Sequence, residues 1–217
     1  LRKLGKGTAA IGQVHTRFSI PFGLTNFQRD FFTNIPLLLI KHPGALMPYL
    51  TSIFNQVFKA NFITTWRYVR MNNRDDTEAM RRGLAQAKKG SYEYHVADYL
   101  LRGGQISYVR GVSSASAHEH LTKDIVTKES LLNTALLTRF FDAWIGTFEI
   151  AVRASAYRAI LPSTLENSLK ASGNPKEGTK EYDAVVFGAS ETAAAEVKNF
   201  ANFESAGERS AEVAAWY

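Results

Sequence analysis

The 217-residue sequence contains no cysteine. That absence excludes a disulfide framework, a thiolate metal site and a cysteine nucleophile. Long apolar runs are missing too: a bilayer-spanning helix needs ~20 such residues. The two most apolar stretches, Phe31 to Ile40 and Ala45 to Phe58, are shorter and are bounded or interrupted by Pro36, Lys41, His42, Pro43 and Pro48. The early basic residues lead into Gly5, Gly7, Gly12 and His15, which is not a signal-peptide pattern. No serine sits in a Gly-x-Ser-x-Gly elbow, and neither Gly5-Lys6-Gly7 nor Gly103-Gly104 has the spacing of a phosphate loop. The chain opens on Leu1 and closes on Trp216-Tyr217, so it is expected to be a piece of a longer polypeptide.

What remains is ordinary globular material: 45% hydrophobic, 12% aromatic and 21% charged residues, with a formal charge of +6. A chain of this size can bury roughly 70% of its unfolded surface in one core or two small ones. Charge is uneven. Residues 1–110 hold 16 Lys and Arg against 6 Asp and Glu, net +10, whereas residues 111–217 hold 10 against 14, net −4. The basic half suits phosphate, an anionic membrane surface or the acidic half of a neighbouring copy; solvated helix faces are the plainer reading.

Apolar residues recur at three- and four-residue spacing and strand alternation is scarce, which predicts an all-α multi-helix bundle. Residues 1–17 form an irregular basic entry, and 18–217 a helical domain. A helix is expected from Leu24 to Leu39 with a break or kink at Pro36, then one from Leu46 to Arg70 burying Leu50, Ile53, Phe54, Val57, Phe58, Phe62 and Trp66, with Pro48 in its first turn. Aspartates after Asn72-Asn73 cap a helix over Glu78 to Lys89, and Gly90 ends it. Ser91 to Arg102 follows. The stretch 103–118 reads as an irregular loop or one extended strand. A long central helix then runs from Thr122 or Thr127 to Leu161 and stops at Pro162. A flexible connector covers 171–178, before shorter helices over Thr179 to Gly188, Ser190 to Phe203 and Glu208 to Tyr217.

Few side chains suggest chemistry. His118-Glu119-His120 is the one clustered ligand set, but i, i+2 spacing shares a face only on a strand and no third ligand is evident, so no metal or cofactor is expected. Asp142 and Glu149 project from nearly the same side of the central helix, as paired carboxylates would. Each also has a helical partner, Arg139 three residues before Asp142 and Arg153 four after Glu149, which favours ion pairs. In the first helix Asn26, Arg29 and Asp30 are spaced to make a polar network joining helices; a phosphate contact through Arg29 is the alternative.

Three segments carry a resemblance. Pro21-Phe22-Gly23-Leu24-Thr25-Asn26-Phe27-Gln28-Arg29-Asp30 has an Asn-x-x-Arg-Asp pattern. Glu149-Ile150-Ala151-Val152-Arg153 has Glu-x-Ala-x-Arg. Ala193-Ala194-Ala195-Glu196-Val197-Lys198-Asn199-Phe200-Ala201-Asn202-Phe203, followed by Gly207, closes the series. In order and spacing these resemble a large polyvalent protein-associated domain found in giant proteins of phages and mobile elements. The resemblance implies a segment of a protein carried inside the virion and expelled into the host envelope with the DNA, a structural and delivery role without an active site of its own. Its implied partners are copies of itself and sister ejection proteins.

On that footing the expected function is a module of a phage ejection protein that helps form a channel or scaffold for genome delivery. Cysteine-free helices with local contacts suit passage through a narrow tail, because such contacts re-form quickly. Lys59, Arg67, Arg70, Arg74, Arg81, Arg82, Lys88 and Lys89 are the candidate non-specific DNA contacts. The rivals are an accessory domain of a virion-packaged RNA polymerase, a free-standing nucleic-acid-binding module, and a membrane-surface role through Phe31 to Phe62.

Overall fold

The computed structural model describes residues 20–56, 61–74, 76–104 and 128–201. Those residues form an all-α bundle: α1 Ile20–Lys41, α2 Leu46–Gln56, α3 Asn61–Asn73, α4 Thr77–Gln86, α5 Tyr92–Leu101, α6 Lys128–Ala171 and α7 Lys180–Ala201, with a 3-10 turn at Pro43–Ala45.

Helix α6 is the axis. Its 44 residues make a rod about 66 Å long at 1.5 Å per residue. Helices α1, α2, α3, α5 and α7 all pack on it, while α4 is held by α3 and α5. From Ile150 to Tyr157 every residue is buried. Two consecutive turns cover every azimuth, so neighbours must surround the rod there. Ala151, Ala154, Ser155 and Ala156 keep it thin enough for that, and Ser52 of α2 reaches Ser155 at 3.3 Å. Helix α7 answers with its own small residues, Ala189, Ala193 and Ala194, buried beside Val197.

The other half of α6 is held by rings. Phe140, Trp144 and Phe148 recur every four residues on one face and meet Phe62 and Trp66 of α3. Phe62 lies 5.7 Å from Trp144 and 5.2 Å from Phe148, and Trp66 lies 5.2 Å from Phe140. Phe27 of α1 closes the cluster edge-on against Phe148 at 6.2 Å. Such pairs add about 0.5–1.5 kcal/mol each beyond burial.

Local chemistry sets several boundaries as expected. Asp76 Oδ1 accepts from the Ala79 amide at 3.1 Å to cap α4, Ser91 Oγ accepts from Tyr94 at 3.2 Å to cap α5, and Thr179 Oγ1 accepts from Tyr182 at 3.2 Å to cap α7. After α6, Gly173 and Asn174 take φ of 75° and 54° in the expected connector.

Elsewhere the fold departs from the sequence reading. The break expected at Pro36 and the stop expected at Pro162 do not occur: both prolines lie inside helices. Each is exposed, so the carbonyl four residues back that loses its donor can turn to water. The helix expected over Leu46 to Arg70 is described as two segments, α2 and α3, and residues 57–60 between them lie outside the described residues. Tyr49, Ser52 and Ile53 are buried on α2; on α3, Thr65, Tyr68 and Val69 are buried while Phe62 and Trp66 meet α6. Phe54, expected to be buried, is 64% exposed, on the side of α2 away from Tyr49 and Ile53. Helix α4 ends at Gln86, where Ala87 turns extended. The helices expected over Thr179 to Gly188 and Ser190 to Phe203 are one, because Ser190 donates back to the Val186 carbonyl at 2.9 Å and caps nothing. The entry segment 1–17, Val57 to Phe58, most of the 103–118 stretch and Glu208 to Tyr217 lie outside the described residues.

Candidate functional site

Two groups of candidate residues separate in space, one buried and one exposed.

The buried group joins α1 to α6. Asp30 and Asn34 fall one turn apart on the inward face of α1, both fully buried, and Asn34 Nδ2 donates to the Asp30 carbonyl at 2.9 Å. Asp30 Oδ1 accepts from Arg29 Nε at 2.9 Å and from its terminal nitrogen at 2.8 Å. Asp30 Oδ2 accepts from Arg153 Nε at 2.9 Å. Arg153 Nη1 in turn lies 2.6 Å from Glu149 Oε1. Two cations and two anions thus balance inside the protein. Burial pushes the Glu149 carboxyl above its ordinary range, against the pull of Arg153. Burial also opposes the charge on Arg153, but Glu149 and Asp30 outweigh it and hold the guanidinium protonated. A largely buried, charge-balanced cluster of this kind joins helices, with each carboxylate held against a guanidinium.

Of the residues expected to form this network, Arg29, Asp30, Glu149 and Arg153 come together. The side chains of Asn26, Arg139 and Asp142 lie outside the described residues. A second buried centre was not anticipated. Asp98 of α5 accepts from Arg102 Nε at 3.0 Å and from the Tyr157 hydroxyl of α6. The ring of His95 stands 6.1 Å from Tyr157, and burial, aided by Arg158 and opposed by Asp98, lowers its pKa to about 4. Asp98 and Arg102 at i, i+4 were legible in the sequence, but Tyr157, 59 positions away, was not.

The exposed group is cationic. On α3, Ile63, Arg67 and Arg70 follow i, i+4, i+7 spacing and share the outward face, and exposed Arg74 lies in the turn just past its end; Arg81 and Arg82 lie exposed on α4, and Lys88 and Lys89 on the turn after it. Arg67 is committed to Glu93, which also accepts from the Tyr68 hydroxyl at 3.1 Å. Among the described residues, Arg70, Arg74, Arg81, Arg82, Lys88 and Lys89 have no acid within ion-pair distance. A cleft of about 450 Å³ between α3, α4 and α5 places Arg67 and Arg82 at its lining with Tyr68 and Glu93. Gly83 is required there, since a Cβ at that position would overlap the Tyr68 hydroxyl. Lys59 and the His118-Glu119-His120 set lie outside the described residues. Among the described residues no group of three His, Asp or Glu is placed to hold a metal ion, and no helix is long and apolar enough to cross a membrane.

No protein-family model, curated protein or solved structure matches the chain.

Proposed function

We propose that this chain is a structural module of a phage internal virion protein, expelled into the host, where it packs with copies of itself and sister ejection proteins into a channel or scaffold for genome delivery. The observation that carries this reading is the set of six cations along α3, α4 and the turns after them that have no acid partner among the described residues. Spread positive charge without base-reading geometry holds a phosphate backbone loosely and without sequence preference, as a conducting wall requires. The motif residues Asp30, Glu149 and Arg153 supply the other half of the reading, since in this fold they tie helices together.

Salt-dependent retention of DNA tests it. The chain is expected to bind duplexes of unrelated sequence equally, with affinity falling linearly in log salt. Replacing Arg70, Arg74, Arg81 and Arg82 by alanine is expected to reduce that slope by ~0.9 per lost phosphate contact. No retention at low salt, or a slope untouched by the four changes, overturns the assignment of this surface.

A further inference from the structure

We propose that the cleft between α3, α4 and α5 binds one unpaired nucleotide of a DNA strand and prefers a base that carries an exocyclic amino group. The proposal rests on the DNA-contact reading given above and names what that same surface grips.

The cleft's volume of about 450 Å³ falls within the usual range of small-molecule sites, about 300–1,000 Å³. Its lining is of two kinds. Met71, Ala79 and Ala87 are apolar, whereas Arg67, Arg82 and Glu93 are charged. Two cations against one anion leave the lining net positive, so the fitting ligand is an anion that also has an apolar body.

The charged groups differ in how far they are committed. Arg67 pairs with Glu93, and its guanidinium stands 5.2 Å from the centre of the Tyr68 ring. Tyr68 is buried, packed where a Cβ on Gly83 would stand, and donates to Glu93 Oε1 at 3.1 Å. Both bonds fall on Oε1, and among the described residues Glu93 Oε2 accepts none. Arg82 has no acid within ion-pair distance among the described residues. The cleft therefore offers a fixed acceptor, an uncommitted guanidinium and an apolar lining.

A nucleotide answers each of these. Its phosphate suits Arg82, its base ring suits Met71 and Ala79, and an amino N–H suits Glu93 Oε2. Inorganic phosphate would leave the acceptor and the apolar lining unused. In a duplex the amino groups are paired and the ring faces stacked, so only an unpaired base can offer both. A strand suits the surroundings better than a free nucleotide does. Arg70, Arg74 and Arg81 lie exposed on the same elements, without acid partners among the described residues, and can take the neighbouring phosphates.

Fluorescence anisotropy with labelled oligo(dC) and oligo(dT) of equal length, at neutral pH, tests the proposal. The two strands carry the same charge, and only cytosine has the amino group. Oligo(dC) is expected to bind roughly tenfold tighter, as a hydrogen bond to a carboxylate allows. Glu93→Gln is expected to bring the ratio near one without changing the salt dependence. Ala79→Phe fills the cleft and is expected to lower oligo(dC) to the affinity of oligo(dT) while duplex retention stays unchanged. Equal affinity for the two strands, or a preference that both variants leave intact, overturns the proposal. Free dCMP binding more tightly than oligo(dC) overturns its strand half and gives the cleft to soluble nucleotides. Duplex retention without the cytosine preference removes the cleft and leaves the surface reading standing; the preference without duplex retention does the reverse.

Discussion

Asp30 and Arg153 are 123 positions apart in the chain, and their side chains meet at 2.9 Å inside it. The pair is the cross-helix link of a polar cluster between α1 and the axial helix that also holds Arg29 and Glu149, and it makes each partner dependent on the other.

Removing one partner is therefore expected to cost more than removing both. Asp30→Ala leaves Arg29 and Arg153 facing one buried carboxylate, Glu149, and is expected to lower stability by about 3–5 kcal/mol. Replacing Asp30 by Leu together with Arg153 by Met is expected to recover most of that loss. Urea unfolding of Asp30→Leu, Arg153→Met and the double variant measures it; strictly additive losses would show that the pair is not coupled.

His95 makes stability depend on pH in a definite direction. Its pKa is 6.5 when free and about 4 when folded, so between those values the unfolded chain holds the extra proton. The contribution is complete above pH 6.5 and is lost progressively as pH falls toward 4. Glu149, raised by burial, runs the other way: its contribution is present in acid and declines as pH rises through its folded value. The melting temperature is expected to fall between pH 6.5 and 4, and His95→Gln is expected to flatten that fall. A variant slope as steep as that of the parent would assign the fall to other groups.

At Gly83 the constraint is steric. Gly83→Ala drives a methyl group into the Tyr68 hydroxyl and is expected to cost about 1–3 kcal/mol. Adding Tyr68→Phe removes the overlapping oxygen and is expected to restore part of it, although it also removes the bond to Glu93. Comparison of the double variant with Tyr68→Phe alone isolates the clash.

Pro36→Ala is expected to stabilise the isolated chain by about 1–3 kcal/mol, because it returns a donor to the Phe32 carbonyl in a helix that already forms. The shift in urea midpoint reports it. A lower midpoint would mean that the ring itself packs.

Much of this architecture was legible in the residues. Apolar spacing located the helices, and side chains that bond their own neighbours located the starts: Asp76, Ser91 and Thr179 cap helices as their chemistry dictates. The same locality made Glu149 and Arg153 readable as an i, i+4 pair. What eluded a one-dimensional reading depends on surroundings. Proline forbids one bond, and whether that ends a helix rests on whether the orphaned carbonyl reaches water, as at Pro36 and Pro162. The meeting of Tyr157 with Asp98 crosses 59 positions and leaves no spacing signal.

The order of synthesis inherits a consequence from the axial helix. Helices α1 to α5 are all encoded before α6, the rod on which four of them rest. Translation at roughly 5–20 residues per second thus leaves the early helices without their shared support until the codons near Arg153 have been read. Throughout that interval Asp30 is a carboxylate still waiting for its cross-helix guanidinium, and the rings of α1 and α3 that close on the axial helix have no partner ring from it.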